Sequence, residues 1–550
     1  MHFWTGRVVA IVIAFVTHAI FLKQVQKWLN PSYLEMMQAS VSPPPPMPWV
    51  YHPVLWLPLC FALSIFFVVL CAIMLQRLKL SKSDAWFISF AAFSIALLSQ
   101  IPASHYLPAK RWVMIGAVVV VTFSFLQYRQ HILRWLQKVN PDHAVWGLIA
   151  ISVTQRLIAL YAQPLEFVEG DDPLTYHDNA LYILNGGWPN GFFSPGLPFF
   201  LAAIYSIFGV HPKVAVLVII ALSALSLFFL YRTVANYYNH FWAGLLSVAV
   251  FLLNSQYVAM SNHFWSDNVY MLLLPIALFL FYRMIELIEY IEHTDGRLSF
   301  VRLIFVVAGL GVLLAAMTLF RSWTPALVVG FGMALFFERH KQQRLRPFIA
   351  LMVAASIMIV LVQSYTAFRA HALGQEGYVS SNAGFIFVVG NNPYSQGSFT
   401  PHFRTYENEV RAIDPSADLA KLVFHYNLDH PLHFATMLGK KLLLWFWGAP
   451  HPKYTGPYYL MPLTLVAYYL RIGWCLLSFA GFWSMTKKRQ FLPLFLYLIL
   501  TSIFGFFFVD HRFVLIGFVL QSIAIGSLLG PMLQRWIGET GSRAGGSAEN

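Results

Sequence analysis

The sequence predicts an all-α, polytopic membrane protein. Hydrophobic residues fill 58% of its 550 positions and charged residues only 11%, with a mean hydropathy of +0.62. Soluble domains are about half apolar and a quarter charged, so a water-soluble globule is excluded. About fourteen apolar runs are long enough to cross the roughly 30 Å hydrocarbon core as helices. We therefore expect the bilayer to be the solvent for most of the chain.

The predicted spans form an early group and a later group, separated near residue 140. They lie at 8–22, 53–76, 84–101 and 112–126, and then at 145–161, 212–231, 240–257, 268–283, 303–320, 323–338, 348–366, 457–484, 491–508 and 514–531. The apolar stretch 442–447 follows two lysines and is closed by Pro450 and Pro452. Because it is too short to cross, it is predicted to be an interfacial or re-entrant helix.

Basic residues predict the orientation, since short cytoplasmic loops concentrate Lys and Arg. With the N-terminus inside, clusters such as 487–489 face the cytoplasm. The outer segments are then about 162–211, 258–267, 367–456 and 509–512, which hold more than half of the 23 acidic residues. The net charge of +13 comes mostly from Lys and Arg in short loops between apolar runs, where they set the orientation, so we exclude nucleic acid as a partner. The three cysteines lie in apolar segments and predict neither a disulfide framework nor a zinc site.

This topology divides the chain into five regions. Residues 1–140 form a four-helix membrane extension to which the sequence assigns no role. Residues 141–366 form a membrane core with an acidic first outer loop, and 367–456 form a larger outer segment before the last three spans. Residues 457–531 are C-terminal membrane helices, and the Gly- and Ser-containing tail 532–550 is predicted to be disordered in the cytoplasm.

The first outer loop contains the pattern that carries chemistry. Asp171 and Asp172 precede Pro173, and apolar positions from Tyr176 to Leu184 recur at helical spacing. Pro173 suits a first helical turn, and Asp172 suits an N-cap. A second short helix is predicted to begin after 194–196 and to run to Phe208. Two juxtamembrane helices on the outer surface are unusual for a transporter, whose outer loops are normally brief.

Over about residues 145–531 the sequence resembles the GT-C superfamily of membrane glycosyltransferases. The similar branch contains bacterial aminoarabinose transferases and protein O-mannosyltransferases, which is the family 39 type. The residues that carry the resemblance keep one order along the chain and all lie on the outer side. They are Asp171-Asp172, Tyr176, Ala180, Ser194-Pro195-Gly196, Asp267, Arg321, Gly390-Asn391-Asn392-Pro393, His430-Pro431 and Asp510-His511-Arg512-Phe513.

The resemblance implies an inverting transfer of a sugar from a polyprenyl-phosphate donor to an acceptor hydroxyl. Such a transfer needs a carboxylate to take the acceptor proton and cations to hold the departing phosphate. Asp172 or Asp171 is the candidate base, and the register with Tyr176 favours Asp172. The candidate phosphate ligands are Arg321, Arg512, Lys440 and Lys441. The candidate positioning or acceptor residues are Asp267, Tyr176, His430, Asp510 and His511.

Each assignment has a structural alternative at this stage. Asp172 and Asp267 also suit helix caps. Arg321, Lys440 and Lys441 also suit side chains that snorkel from helix ends, while Arg512 could pair with Asp510. His430 also suits an ordinary loop histidine.

Two other function classes compete with the transferase hypothesis. A secondary transporter or lipid flippase fits the span count, although internal repeats and midplane acids are not evident. A polysaccharide polymerase or ligase fits the long outer segment. For the transferase we expect a lipid, glycan or exported protein as acceptor and membrane lipids as neighbours. We also expect a bacterial inner-membrane location with the site facing the periplasm or exterior. No cofactor is required, although a divalent cation is compatible.

Overall fold

The computed structural model describes residues 138–162, 167, 172–189, 191–237, 240–252, 257, 263–293, 297–338, 344–374, 378–395, 397, 402–447, 461–507 and 509–545. These residues form helices joined by short connections, and this part of the chain contains no strand. The all-α class is therefore confirmed. The four predicted spans before residue 140 lie outside the described residues.

The membrane core begins with a long helix, continues through two short ones and then alternates between long and short helices. In chain order these are α1 (Pro141–Ala162), α2 (Asp172–Leu184), α3 (Gly196–Phe208), α4 (Pro212–Tyr237), α5 (Phe241–Leu252), α6 (Ser266–His293), α7 (Arg297–Phe320), α8 (Pro325–Glu338) and α9 (Leu345–Leu373).

The second half begins with four helices of the predicted outer segment and ends with three apolar helices, of which the middle one is short. They are α10 (Ala383–Asn391), α11 (His402–Ile413), α12 (Leu419–Asp429), α13 (Pro431–Trp447), α14 (Met461–Lys487), α15 (Leu492–Phe506) and α16 (His511–Gly545).

Five helices of the described residues are long and apolar enough to cross a bilayer. They are Pro212–Tyr237, Ser266–His293, Leu298–Phe320, Leu345–Ala372 and Arg512–Arg535. Each span predicted after residue 140 coincides with a helix, but several of these helices are shorter than a full crossing. The multi-pass architecture stands, whereas the count of fourteen remains a prediction.

Helix α16 lies at the centre of this arrangement. Its apolar window is 89% buried, against 33% for the window of α9, which turns a wide apolar face outward. Helix α16 packs against α5, α14, α15 and α6. A helix that is apolar all round and buried by neighbours gives a fixed position to the residue at its start. Arg512 is the second residue of α16.

Two boundaries differ from the sequence-based expectation. Helix α16 continues to Gly545, so residues 532–545 are helical where a disordered tail was predicted. The stretch 442–447 is the end of α13, a 17-residue helix that begins at Pro431. The two short helices α2 and α3 form where they were predicted, beginning at Asp172 and directly after Pro195, and their place on the outer surface stays a prediction.

Candidate active site

Helix termini from distant parts of the sequence meet at one place. Asp172 begins α2, Asp267 is the second residue of α6, and Arg321 directly follows α7. Asp510 and Arg512 flank the first residue of α16. We call these five residues the acid–arginine cluster. Its members are 340 residues apart at the extremes, so only the tertiary fold brings them together.

Arg512 is the centre of the cluster. Its Nη1 donates to Asp172 Oδ2 at 2.9 Å, and its Nε donates to Asp510 Oδ2 at 3.0 Å. Asp267 Oδ2 lies 4.0 Å from the same Nε. The guanidinium carbon also lies 3.9 Å from the ring centroid of Trp265, within cation–π range. The planar guanidinium is therefore held on its edges by carboxylates and on one face by an indole.

Arg321 forms a second ion pair within the cluster. Its Nη2 donates to Asp267 Oδ2, and the Asp267 side chain is only 1% exposed. Asp267 Oδ1 and Arg321 Nε are both buried without a hydrogen-bond partner among the described residues. Buried polar atoms are normally satisfied, so these two atoms mark places where a ligand or water can bind.

The carboxylates differ in how far they reach solvent. The Asp172 side chain is 28% exposed, against 12% for Asp510 and 1% for Asp267. Among these three, Asp172 is therefore the one that an incoming molecule meets first. Asp267 is placed to orient Arg321 rather than to exchange protons with solvent.

Tyr176 joins α2 to α6 beside the cluster. Its hydroxyl lies 3.2 Å from Ser266 Oγ, and the side chain is buried. Burial raises the pKa of Tyr176 to about 12, against the lowering effect of nearby Arg321. The phenol therefore stays neutral at physiological pH and acts as a hydrogen-bonding spacer. It fixes the distance between the start of α2 and the start of α6.

The helix ends themselves contribute to the electrostatics. Asp172 and Asp267 lie in the first turns of their helices, and the Asp510 carbonyl accepts from Phe513 N at the start of α16. Each helix N-terminus carries a partial positive charge that favours an anion by about 0.3–1 kcal/mol. Three N-termini and two guanidiniums thus surround the three carboxylates. The same field suits a phosphate group.

The motif 194–196 sets the position of Arg321. Gly196 packs so closely on the end of α7 that a Cβ there would lie 2.6 Å from Phe320 N. A side chain at this position would push α3 away from the residue that precedes Arg321. Helix α3 is also tied to α2, since His177 Nδ1 lies 2.9 Å from Tyr205 Oη.

The structure brings together Asp172, Tyr176, Asp267, Arg321, Asp510 and Arg512 from the predicted set. The other cations lie in a different environment. Lys441 is fully buried against Asn391 and the Phe506 carbonyl, and Lys440 beside it is 6% exposed. His430 is exposed between α12 and α13, and its Nδ1 lies 2.9 Å from the Tyr426 carbonyl of α12. Asp171 and the His511 side chain lie outside the described residues.

Trp265 and Ser266 complete the site and were not singled out from the sequence. Both precede Asp267 directly, at the start of α6. An aromatic and a hydroxyl residue adjacent to an acid at a span's outer end were the available signal. The Trp265 ring supports Arg512, while the Ser266 hydroxyl meets Tyr176.

The described residues contain no group of three or more His, Cys, Asp or Glu side chains arranged to hold a metal ion. The cluster's carboxylates instead face guanidiniums. A divalent cation stays an expectation for this chain.

Comparison with protein families gives one match. Residues 193–365 fit the family model described as dolichyl-phosphate-mannose-protein mannosyltransferase. The matched range contains Asp267 and Arg321, whereas Asp172 and Arg512 lie on either side of it. The match confirms the resemblance to the GT-C branch that the sequence motifs indicated. Comparison with curated protein sequences gives no match.

Among solved structures, the chain is similar to ArnT from Cupriavidus metallidurans bound to undecaprenyl phosphate. The identity is 12%, and the similarity covers 71% of this chain and 78% of ArnT with a TM-score of 0.33.

Proposed function

We propose that this protein is a membrane glycosyltransferase that moves a sugar from a polyprenyl-phosphate donor to an acceptor hydroxyl with inversion. The family-model match over 193–365 and the order of the sequence motifs support the reaction class. The geometry of the acid–arginine cluster supports its site. The observation that carries the proposal is Arg512, which joins an acid from the first outer loop to the buried core helix.

In this reaction the acceptor oxygen attacks the anomeric carbon while the bond to the lipid phosphate breaks. A carboxylate near the acceptor takes the hydroxyl proton, and positive groups stabilise the charge that develops on the departing phosphate. Asp172 is the proposed base, because it is the most exposed carboxylate of the cluster and an arginine orients it. Asp171 is the alternative base.

Arg321 and Arg512 are the proposed ligands of the donor phosphate. Arg321 has a buried Nε without a partner among the described residues, so it can bind an anion while it keeps its bond to Asp267. Guanidinium groups bind phosphate through paired, charge-assisted hydrogen bonds. Asp267 and Asp510 then orient the two arginines.

The proposed acceptor is a lipid, a cell-surface glycan or an exported protein, and the sugar is a hexose or a pentose. The proposed location is the bacterial inner membrane, with the cluster facing the periplasm or exterior. This orientation places the basic clusters inside. Cysteine labelling from outside at Ser416, an exposed residue of the predicted outer segment, tests it. Labelling only after permeabilisation would reverse both the topology and the proposed face.

The reaction is tested with purified protein in detergent and a short-chain polyprenyl-phosphate sugar, in buffer without nucleotides. We expect release of free polyprenyl phosphate, measured together with transfer to an added acceptor. Parallel reactions with and without a chelator decide whether a divalent cation takes part. Strict dependence on a nucleotide sugar would contradict the proposal. Uptake of the lipid across a vesicle membrane without release would favour a flippase.

A further inference from the structure

A second polar cluster lies under the outer helices, and the proposed reaction does not use it. Lys441, on α13, has no exposed surface. Its Nζ donates to Asn391 Oδ1 at 2.6 Å and to the Phe506 carbonyl at 3.3 Å. Both acceptors are neutral oxygens. A lysine that is fully enclosed and already bonded in this way is poorly placed to receive a ligand phosphate.

Asn391 adds further contacts with the end of α15 and a contact with α12. Its Nδ2 lies 3.0 Å from the Phe506 carbonyl and 3.2 Å from the Phe507 carbonyl, at the end of α15. Its own carbonyl accepts from Asn427 Nδ2 of α12 at 2.9 Å. The side chains of Asn391 and Lys441 thus join α10 and α13 to the end of α15, and the Asn427 side chain joins α12 to this group. These contacts account for the motif 390–393 and for Lys441, neither of which has a role in the proposed chemistry.

Gly397, which packs against Lys441, also contacts the connection between α15 and α16. Val509 N donates to the Gly397 carbonyl at 3.1 Å. Gly397 has a φ of +82°, and a Cβ there would lie 3.1 Å from Lys441 Cγ. Only glycine adopts this conformation readily, so Gly397 can lie against Lys441 and still accept from Val509.

The residues held in this way adjoin the acid–arginine cluster. Phe507 and Val509 lie within the connection, Asp510 is its last residue, and Arg512 is the second residue of α16. Asp510 contacts Arg512 Nε, so a shift of the connection would move the guanidinium that meets Asp172. Catalytic groups lose rate steeply when such supports move by about 1 Å.

We propose that Lys441 and Asn391 are positioning residues that fix the α15–α16 connection and so hold Asp510 and Arg512 in register with Asp172. Lys441 acts through neutral oxygens inside the protein and touches neither donor nor acceptor. The expected effect of substitutions on turnover rests on the proposed function, whereas their expected effect on the α15–α16 connection does not.

The test compares Lys441→Met with Arg321→Gln in the purified full-length chain. Methionine keeps most of the lysine volume but cannot donate. For Lys441→Met we expect a loss of about ten- to a hundred-fold in kcat and a smaller loss of donor affinity, because Arg512 is displaced but keeps its charge. Hydrogen exchange in the peptide containing Val509 should speed up. For Arg321→Gln we expect weaker donor binding with unchanged exchange at Val509.

Asn391→Asp provides a second route if Lys441→Met fails to accumulate. An aspartate can still accept from Lys441 but cannot donate to the Phe506 and Phe507 carbonyls. It should therefore loosen Val509 and lower kcat in the same way. Lys421→Met, at an exposed lysine of α12, is the matched control and should change neither quantity.

The outcomes separate the two proposals. If exchange at Val509 is faster in the variants but the wild type shows no transfer, the positioning role stands and the proposed reaction is wrong. Unchanged exchange with weakened donor binding in Lys441→Met would overturn the positioning role and make Lys441 a phosphate ligand. Unchanged exchange with unchanged kcat would also overturn it.

Discussion

The acid–arginine cluster and the Lys441–Asn391 cluster both contain basic side chains that are largely enclosed, but the partners of these side chains differ in kind. Arg321 and Arg512 face carboxylates at helix termini and keep 12–13% of their side chains exposed. Lys441 faces an amide and a carbonyl oxygen and is fully buried. The first arrangement can exchange one anion for another. The second is closed, so it can only hold its neighbours.

The partners of a basic side chain, rather than its place in an outer segment, determine whether it can bind a ligand. A guanidinium presents several donors in a fixed plane, so it can bind a carboxylate and a phosphate together. A buried ammonium that is already bonded to two neutral oxygens has little left to offer a ligand. Four changes sharpen the distinction, beginning with the largest expected effect.

Replacing Asp172 with Asn should reduce transfer about 10²- to 10⁴-fold, because an amide cannot take the acceptor proton. The measurement is the single-turnover rate with a defined donor and acceptor. Asp178→Asn, at an exposed acid on the same helix, is the control and should retain the wild-type rate. If Asp172→Asn transfers normally, the same variant at Asp171 and the double variant decide whether either acid is the base.

Replacing Arg321 or Arg512 with Gln should weaken donor binding as well as turnover, because the phosphate loses a positively charged partner in both the ground state and the transition state. A charged hydrogen bond contributes about 1.5–3 kcal/mol, so we expect roughly a ten- to hundred-fold loss of donor affinity. Titration with polyprenyl phosphate measures it. Normal affinity in the protein that accumulates would make the arginines structural partners of Asp267 and Asp510.

Replacing Gly196 with Ala should produce a smaller loss of activity than either arginine change. The new methyl group would overlap the backbone of Leu319 and Phe320, which costs about 1–3 kcal/mol and displaces Arg321. Donor affinity and thermal stability are the two measurements. Gly147→Ala is the control, because a Cβ there meets nothing within 4 Å. Equal behaviour of the two variants would contradict the tight α3–α7 contact.

The last effect concerns the pH dependence of stability rather than activity. Burial lowers the pKa of Lys441 to about 7 and that of Lys440 to about 8, from the ordinary lysine value of 10.5. Between the lowered and the ordinary values the unfolded chain binds more protons than the folded one, so stability should rise as pH increases from about 7 to about 10. The neighbouring His433, whose pKa burial lowers, titrates below this window. Melting temperatures across that range should rise less steeply in Lys441→Met.

The sequence predicted the helical class and most helix positions, because apolar length and helical period are local properties. It also identified five members of the cluster by resemblance. It did not predict that Arg512 meets Asp172, since no local pattern encodes a contact across 340 residues. The helical continuation to Gly545 was also missed, because the tail's Gly and Ser content suggested disorder.

The lysines show a second limit of sequence reasoning. Lys440 and Lys441 at the edge of an apolar stretch suited either a phosphate site or snorkelling side chains. The fold instead turns Lys441 inward onto Asn391, a contact that joins residues 50 positions apart. Trp265 was missed for a similar reason, because its ring matters only once Arg512 lies over it.

The donor affinity of Asp172→Asn tests the central claim most directly. Asp172 meets Arg512, so the residue could serve either as a base or as a holder of the phosphate-binding arginine. Asparagine keeps an oxygen that can accept from Arg512 Nη1, so our account predicts donor affinity within about two-fold of wild type while transfer is lost. A fall in affinity that matches the fall in rate would contradict it and make Asp172 a support for Arg512.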